Sequence, residues 1–217
     1  MNWQRARTDD KKNERKDAIY QAALSLFNDK GYEGVSFNAI AVEAGFTKSN
    51  MYRYFSSKED IFLNIFANLF EDWSADCTHK LQTLEQNPEV SLFAETWVAS
   101  HIPHPQFLDL TTLLFVSLEA NGSYEQLLEF KTLSMELLYQ LAVEISKVYP
   151  QFDNEKAFRF LTLSFAASGN YWAAESRQNE ALHKIYSLEP FKDMKPDYEK
   201  NLIASVEVII RGLLSTK

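Results

Sequence analysis

Apolar residues recur at helical spacing along almost the whole chain, with polar residues filling the positions between them. One such stripe predicts a first helix over residues 11–30 that ends at Gly31, with residues 1–12 frayed at its start. Its members are Ile19, Ala22, Ala23, Leu26 and Phe27. Ser57 as an N-cap with Asp60 three residues later predicts a capping box. A longer stripe begins after Ser57 and predicts a helix that continues beyond residue 70. Its members are Ile61, Phe62, Ile65, Phe66, Leu69, Phe70 and Trp73.

The rest of the chain repeats this pattern. Further helices are predicted over residues 88–101, 105–120, 123–148, 154–177, 180–187 and 196–216. All six prolines fall at the boundaries of these segments, where the missing N–H group is tolerated. Neither hairpin turn signals nor alternating apolar strands occur. The sequence therefore predicts an all-α fold.

Residues 35–61 hold two short helical segments and the start of the long helix. Ser36 is a good N-cap, and Gly45 stands where a helix ends in a left-handed residue. Thr47 begins a second helix that has only Met51 and Phe55 to bury. Its remaining face is polar, which suits a helix that lies in the major groove of DNA. The alternative is a helical hairpin with a polar surface helix in some other all-α protein.

The particular residues in this region decide between these interpretations. They resemble the DNA-binding signature of the TetR family of bacterial transcriptional regulators over residues 13–62. The matching elements are Ala23, Phe27, Gly31-Tyr32, Ser36, Ile40-Ala41, Ala44-Gly45-Phe46-Thr47-Lys48 and Tyr52-Arg53-Tyr54-Phe55-Ser56-Ser57-Lys58-Glu59. The resemblance implies a three-helix helix-turn-helix domain, which we place at residues 1–56. It also implies a helical effector-binding and dimerisation domain, which we place at residues 57–217.

The candidate DNA-binding residues lie on and around the second of the two short helices. The turn that begins at Thr47 is where helix-turn-helix proteins reach base edges, so Lys48 is expected to contact guanine and Asn50 adenine. Arg53 is expected to contact either a base or phosphate, and the tyrosines and Lys58 are expected to contact phosphate. The full set is Ser36, Asn38, Thr47, Lys48, Ser49, Asn50, Tyr52, Arg53, Tyr54 and Lys58.

The distribution of charge supports this assignment. The net charge of −8 is unusual for a protein that binds a polyanion. Residues 1–58, however, carry ten Lys and Arg against seven Asp and Glu, whereas residues 59–217 carry twelve against twenty-three. Positive charge is therefore concentrated in the predicted DNA-binding domain, and the acidic remainder repels phosphate.

Aromatic residues are abundant in the predicted C-terminal domain. Each of them alone is more typical of core packing, but together they suggest a pocket for an apolar or aromatic small molecule. The family resemblance likewise implies an effector site in this region. The candidate pocket residues are Phe66, Phe70, Trp73, Trp97, Phe107, Phe115, Phe130, Tyr139, Phe165 and Trp172.

The last two long helices each carry an apolar face, which is typical either of core helices or of an interface. The resemblance implies that they pair with the same helices of a second copy in a four-helix homodimer bundle. The candidate interface residues are Phe158, Leu161, Phe165, Gly169, Val206, Ile209, Ile210 and Leu213.

Other chemistry is weakly supported. His101 and His104, or Cys77 and His79, have too few partners for a metal site, and no catalytic grouping or phosphate loop is present, so we expect no enzyme and no cofactor. The apolar runs are too short for a membrane span, the charged N-terminus lacks a signal peptide, and a single cysteine suits the cytoplasm.

Together these features predict a ligand-responsive regulator of the nucleoid, most consistent with a repressor. It would bind a near-palindromic double-stranded operator as a homodimer and be released by a small apolar or aromatic effector. One alternative is a helical ligand-binding or scaffolding protein with a vestigial DNA-binding head. Another is an activator, which the residues do not distinguish from a repressor.

Overall fold

The computed structural model describes residues 2–176 and 179–216, and side chains from Lys12 onward. Every regular element in these ranges is helical, which confirms the predicted all-α fold. The α-helices are α1 (Asn2–Lys30), α2 (Phe37–Glu43), α3 (Lys48–Met51), α4 (Lys58–Leu81), α5 (Val90–His101), α6 (Pro105–Thr111), α7 (Glu119–Asn121), α8 (Tyr124–Val148), α9 (Asn154–Ser176), α10 (Glu180–Tyr186) and α11 (Tyr198–Ser215). Within the described ranges, none of the helices combines the length and apolarity that crossing a bilayer requires.

Two of the expected elements differ from the structure. The first helix begins at Asn2, so residues 2–12 are helical rather than frayed. The single helix predicted over residues 105–120 is divided into α6, a π-helical turn (Leu114–Leu118) and α7. The hydroxyl groups of Thr111 and Thr112 donate to the carbonyls of Phe107 and Asp109, and such side-chain bonds to the preceding turn bend a helix.

The described chain forms two compact units. Unit 1 contains the residues up to Phe66 together with Leu114–Phe130, and unit 2 contains Ala67–Leu113 and the residues from Lys131 onward. Unit 1 thus includes a segment that the sequence analysis placed in the C-terminal domain. Helix α4 is continuous and contributes its first turns to unit 1 and the rest to unit 2.

Each unit has its own apolar core. In unit 1, Phe62 of α4 is fully buried, with its ring against those of Phe27 and Tyr32. Ile40, Met51 and Phe55 of the helix-turn-helix segment are buried as well, as expected. The core of unit 2 is dominated by aromatic rings from α4, α5, α6 and α9. Its largest buried side chains are Trp73, Trp97, Tyr149, Phe93, Phe107 and Phe160.

Candidate nucleic-acid interface

Local capping interactions define both ends of helix α2. Ser36 is its N-cap, and the Ala39 N–H donates to the Ser36 hydroxyl at 3.1 Å. At the other end, Gly45 has a φ of 73°, and its N–H donates to the Val42 carbonyl. The Phe46 N–H donates to the Ala41 carbonyl at 2.7 Å, which completes a Schellman motif. The glycine therefore ends α2 and redirects the chain into α3.

Helix α3 begins at its own N-cap. The Asn50 N–H donates to the Thr47 hydroxyl at 3.3 Å, so Thr47 restarts the helix as predicted. Lys48, Ser49 and Asn50 are all exposed, whereas Met51 is fully buried. One side of this short helix is therefore anchored in the core, and the other presents an amine, a hydroxyl and an amide to solvent.

Aromatic contacts hold the residues that follow α3. The ring of Tyr52 lies 5.0 Å from that of Phe37 in α2, and the Lys48 ammonium lies 5.9 Å from the Tyr52 ring. Tyr54 packs edge-on against Phe46, and its hydroxyl accepts a hydrogen bond from the Arg15 guanidinium. Tyr52 is still 55% exposed, and Arg53 is exposed as well. The exposed face thus continues past the helix.

Lys58 has a structural role that the sequence analysis did not foresee. Its ammonium donates to the carbonyls of Tyr32 and Val35, at 3.3 and 3.1 Å, and lies 4.2 Å from the Tyr32 ring. It thereby ties the start of α4 to the turn before α2. The predicted phosphate contact would have to use the remaining N–H of this ammonium, and it stays a prediction.

A buried carboxylate also organises this unit. Ser57 is the predicted N-cap of α4, and the Asp60 N–H donates to its hydroxyl at 3.1 Å. The Asp60 carboxylate does not complete the expected capping box, because it accepts from Ser56 at 3.2 Å rather than from Ser57. Its second oxygen accepts from the Ser123 N–H at 2.8 Å. This hydrogen bond connects two residues 63 positions apart and thus joins the segment before α8 to the first turn of α4.

The neighbouring contacts strengthen this connection. Asn64 donates to the side chain of Gln126 and accepts from the Tyr20 hydroxyl. The rings of Phe66 and Phe130 pack edge-on with centroids 5.7 Å apart. No periodic pattern in the sequence signals these pairs, because each joins residues more than 40 positions apart.

The predicted DNA-binding residues therefore divide by environment. Those exposed on unit 1 are Ser36, Asn38, Thr47, Lys48, Ser49, Asn50, Tyr52 and Arg53. Tyr54 and Lys58 are half-buried and take part in the contacts just described. The structure brings the exposed set together around α3. Their contacts with DNA stay predictions.

Most of the predicted pocket aromatics of unit 2 form a packed cluster. Trp73 of α4 lies at its centre, stacked on Phe107 with centroids 5.1 Å apart. Phe165 meets Trp73 at 5.2 Å, and Trp97 meets it edge-on at 5.7 Å. Phe70 stacks on Phe107 at 5.8 Å. In this structure these rings fill the core of unit 2 with one another.

The other predicted pocket residues lie in different environments. Phe66 and Phe130 are buried in unit 1. Phe115 is 72% exposed and Tyr139 is 53% exposed, so both lie at the surface, and their place in a pocket stays a prediction. Trp172 is half-buried, and its indole N–H donates to the Asp109 carboxylate at 2.7 Å.

The candidate metal ligands lie in different environments. Burial lowers the pKa of His101 from 6.5 to about 4 and raises the pKa of the Cys77 thiol to about 12. His104 instead lies 3.5 Å from the Asp76 carboxylate. In the part of the chain that the structure describes, no three potential ligands are grouped around one point.

The predicted dimer residues also divide. Leu161, Val206, Ile210 and Leu213 are buried within unit 2, where α11 packs on α9 and α5. These four pack within the core of the chain itself. Their part in a dimer interface stays a prediction. The other four, Phe158, Phe165, Gly169 and Ile209, remain partly exposed.

Unit 1 has an apolar core of three helices, and a glycine turn after α2 leads into α3, which is capped and faces solvent. This is the architecture of a helix-turn-helix DNA-binding regulator. Residues 19–65 match the family model of bacterial regulatory proteins of the tetR family. Residues 67–217 match the tetracyclin repressor-like C-terminal domain. The chain belongs to the TetR family of bacterial transcriptional regulators.

Individual relatives resemble the chain over a limited length. RutR of Escherichia coli (strain K12), an HTH-type transcriptional regulator, is 36% identical over 61 residues, 28% of this chain and 29% of RutR. IcaR of Staphylococcus epidermidis, an HTH-type negative transcriptional regulator of the biofilm operon icaADBC, is 33% identical over 55 residues, 25% of this chain and 30% of IcaR. The matches thus span less than a third of these curated relatives.

Solved structures share the fold over nearly the whole chain. FadR of Bacillus halodurans, a fatty acid degradation regulator, has a TM-score of 0.53 and 17% identity, covering 93% of this chain and 95% of FadR. FadR of Thermus thermophilus, a TetR-family repressor in complex with lauroyl-CoA, has a TM-score of 0.55 and 16% identity, covering 92% of this chain and 93% of that one.

Proposed function

We propose that this protein is a dimeric, effector-released repressor of the bacterial cytoplasm that acts on DNA and has no enzymatic activity. The observation that carries the proposal is the exposed face of α3, which presents Lys48, Ser49 and Asn50 while Met51 anchors the helix in the core. A helix that buries so little is stabilised chiefly by its caps and its anchor. Its outer face is then available for the major groove.

The side chains on that face suit base recognition. An ammonium such as that of Lys48 donates to guanine O6 and N7, and the amide of Asn50 matches the donor and acceptor of adenine. Each good pair of this kind contributes about 1–3 kcal/mol of discrimination. Arg53 and Tyr52 flank them and fix the register on phosphate. The contacts of Lys48 and Asn50 would therefore carry sequence specificity.

A single recognition helix reads too few bases for a specific site. A twofold dimer places two such helices in successive major grooves, about 34–36 Å apart, and requires a near-palindromic operator. The outer faces of α9 and α11 support such pairing, because they carry small or apolar exposed residues. These include Leu163 and Ala166 on α9, and Ala204 and Val208 on α11.

The aromatic cluster of unit 2 supports an effector site of apolar character. Its rings come from four helices, so a molecule inserted among them would change how those helices pack. Thermus thermophilus FadR, which shares the fold, is in complex with lauroyl-CoA, a molecule with a long apolar acyl chain. Helix α4 carries Trp73 of the cluster and also Asp60, so it would pass the change to the DNA-binding unit. The effector must bind the released state more tightly, because equal affinity shifts no equilibrium.

Footprinting on the DNA that flanks the gene for this protein tests the proposal. We expect a protected inverted repeat at moderate salt, lost in Lys48→Ala and Asn50→Ala. Lys192→Ala is the matched control, since this exposed lysine belongs to the acidic remainder and pairs with Glu189. Full protection by the Lys48 and Asn50 variants would contradict the proposal and favour a ligand-binding or scaffolding protein with a vestigial DNA-binding head.

A further inference from the structure

Three polar atoms in the aromatic cluster have no hydrogen-bond partner among the residues that the structure describes. They are the indole nitrogens of Trp73 and Trp97 and Nε2 of His101. All three side chains are at least 99% buried. Trp172 shows the usual arrangement, because its indole N–H donates to Asp109. A buried polar group without a partner is costly, and native proteins contain few of them.

The hydrogen-bonding role of each atom follows from its neighbours. An indole nitrogen always donates, so Trp73 and Trp97 supply two N–H groups. Nδ1 of His101 lies 2.9 Å from the Trp97 carbonyl, which can only accept. Nδ1 therefore carries the proton in the neutral ring, and Nε2 is an acceptor. Burial lowers the pKa of His101 to about 4, so the ring is neutral at pH 7.

The three rings that bear these atoms lie against one another. The ring centroid of Trp73 is 4.9 Å from that of His101 and 5.7 Å from that of Trp97, and the Trp97 and His101 centroids are 5.6 Å apart. The surrounding rings are apolar, with Phe107 stacked on Trp73 and Phe160 edge-on to Trp97 at 4.8 Å. The rings that carry the two donors and the one acceptor thus lie together within an otherwise aromatic environment.

This combination of atoms selects one kind of ligand group. A hydroxyl oxygen accepts two hydrogen bonds and donates one, which matches two indole N–H groups and one imidazole nitrogen. A carboxylate has no proton for Nε2 and would bury a charge without a counter-ion. An ammonium has no lone pair for the indoles. The close spacing of the rings favours a group with a single polar atom.

We propose that Trp73, Trp97 and His101 form a subsite for the hydroxyl group of a neutral aromatic alcohol of the phenol class. The proposal rests on the proposed function, since it names the chemical class of the effector. The ring of the ligand packs among the aromatic side chains, where edge-on and offset contacts are favourable. Phe165 is half-buried and lies 5.2 Å from Trp73, so its displacement opens the cluster to the ligand.

Binding of three matched probes to the purified full-length protein tests this subsite. Phenol, anisole and toluene have the same ring, but anisole can only accept a hydrogen bond and toluene can neither accept nor donate one. An apolar site without polar partners prefers toluene, because phenol loses its hydrogen bonds to water on entry. We expect instead that phenol binds about tenfold or more tightly than either of the others, as measured by titration calorimetry.

In each variant the affinity for phenol is compared with the affinity for toluene. A change in cavity volume affects both probes, so its effect on this ratio largely cancels. In Trp97→Phe and His101→Phe the preference for phenol over toluene should fall to about one or reverse. Trp73→Phe is an independent third variant in case one of these fails to fold. Trp172→Phe is the matched control, because its indole already has a partner, and it should keep the full preference.

Each outcome decides the question. Toluene binding as tightly as phenol overturns the subsite. Failure of every probe to bind also overturns it. A crystal structure with an ordered water molecule between the three groups would then show that they hold an internal water only. Phenol binding that leaves the protein on its operator supports the subsite but contradicts the effector step of the proposed function. Phenol binding by a protein that recognises no operator contradicts the proposed function as a whole and leaves the subsite standing.

Discussion

The carboxylate of Asp60 connects two distant parts of unit 1, and its removal has a calculable cost. The side chain is fully buried and accepts one hydrogen bond from Ser56 and one from Ser123. It lies at the first turn of α4 and just before α8, where the N-terminal ends of both helices favour a negative charge. Asp60→Ala removes both acceptors at once.

The expected magnitude follows from these contacts. A hydrogen bond to a charged group contributes about 1.5–3 kcal/mol. Ser123 is half-buried, so loss of the bond from its N–H should cost most of that free energy. Ser56 is exposed, so water can replace the acceptor of its N–H. Removing the buried charge recovers part of the desolvation cost. We therefore expect Asp60→Ala to lower the free energy of unfolding by about 1–3 kcal/mol, and Asp60→Asn, which keeps one acceptor oxygen, by less.

Urea unfolding and amide hydrogen exchange measure the two consequences separately. Unfolding reports the total loss, and exchange at the Ser123 amide reports whether its own bond is broken. Asp72→Ala is the matched control, since Asp72 is an exposed residue of the same helix. The reasoning is refuted if Asp60→Ala unfolds within about 0.5 kcal/mol of that control and the Ser123 amide stays protected.

Three further predictions concern other elements. Gly45→Ala should lower the free energy of unfolding in urea by about 1–2 kcal/mol, because the residue has a φ of +73°, although an added Cβ would clash with no neighbouring atom. Gly212→Ala in the helix α11 is the control and should not destabilise the protein. Equal effects of the two substitutions would contradict this reasoning. Lys58→Met should lower the free energy of unfolding by about 1–3 kcal/mol, because it removes the donor to the carbonyls of Tyr32 and Val35. An unchanged unfolding midpoint would show that these two bonds do not stabilise the protein. The His101 pKa is lowered from 6.5 to about 4, so the unfolded chain binds the extra proton and stability falls by about 3 kcal/mol as pH drops across that interval. His101→Phe should remove this part of the pH dependence between pH 7 and 4, and an unchanged slope would contradict the assignment.

The local features of the fold could be predicted because they depend on neighbouring residues. The caps at Ser36, Thr47 and Ser57 each use an N–H group three residues further on, so residue type and spacing were sufficient. Gly45 was predictable for the same reason, since only glycine takes its left-handed conformation without strain. The buried stripes of α1 and α4 follow directly from helical periodicity.

Long-range contacts could not be predicted in this way. The pattern around Asp60 predicts a helix cap but does not show that its second oxygen reaches Ser123. Lys58 has the sequence context of a phosphate ligand, yet its ammonium is held by two carbonyls of a distant turn. Apolar periodicity in α11 could not separate core from interface, because Val206 and Ile210 look the same in either setting until their neighbours are known.

Selection of bound sequences from a pool of random DNA duplexes tests the dimeric DNA-binding regulator most directly, because it needs no knowledge of the regulated genes. We predict enrichment of an inverted repeat whose half-sites are centred one helical turn apart, or a multiple of it, with the preference lost in Lys48→Ala. Enrichment of a single unrepeated half-site, or of no sequence at all, would contradict the proposal that two copies of this helix read DNA together.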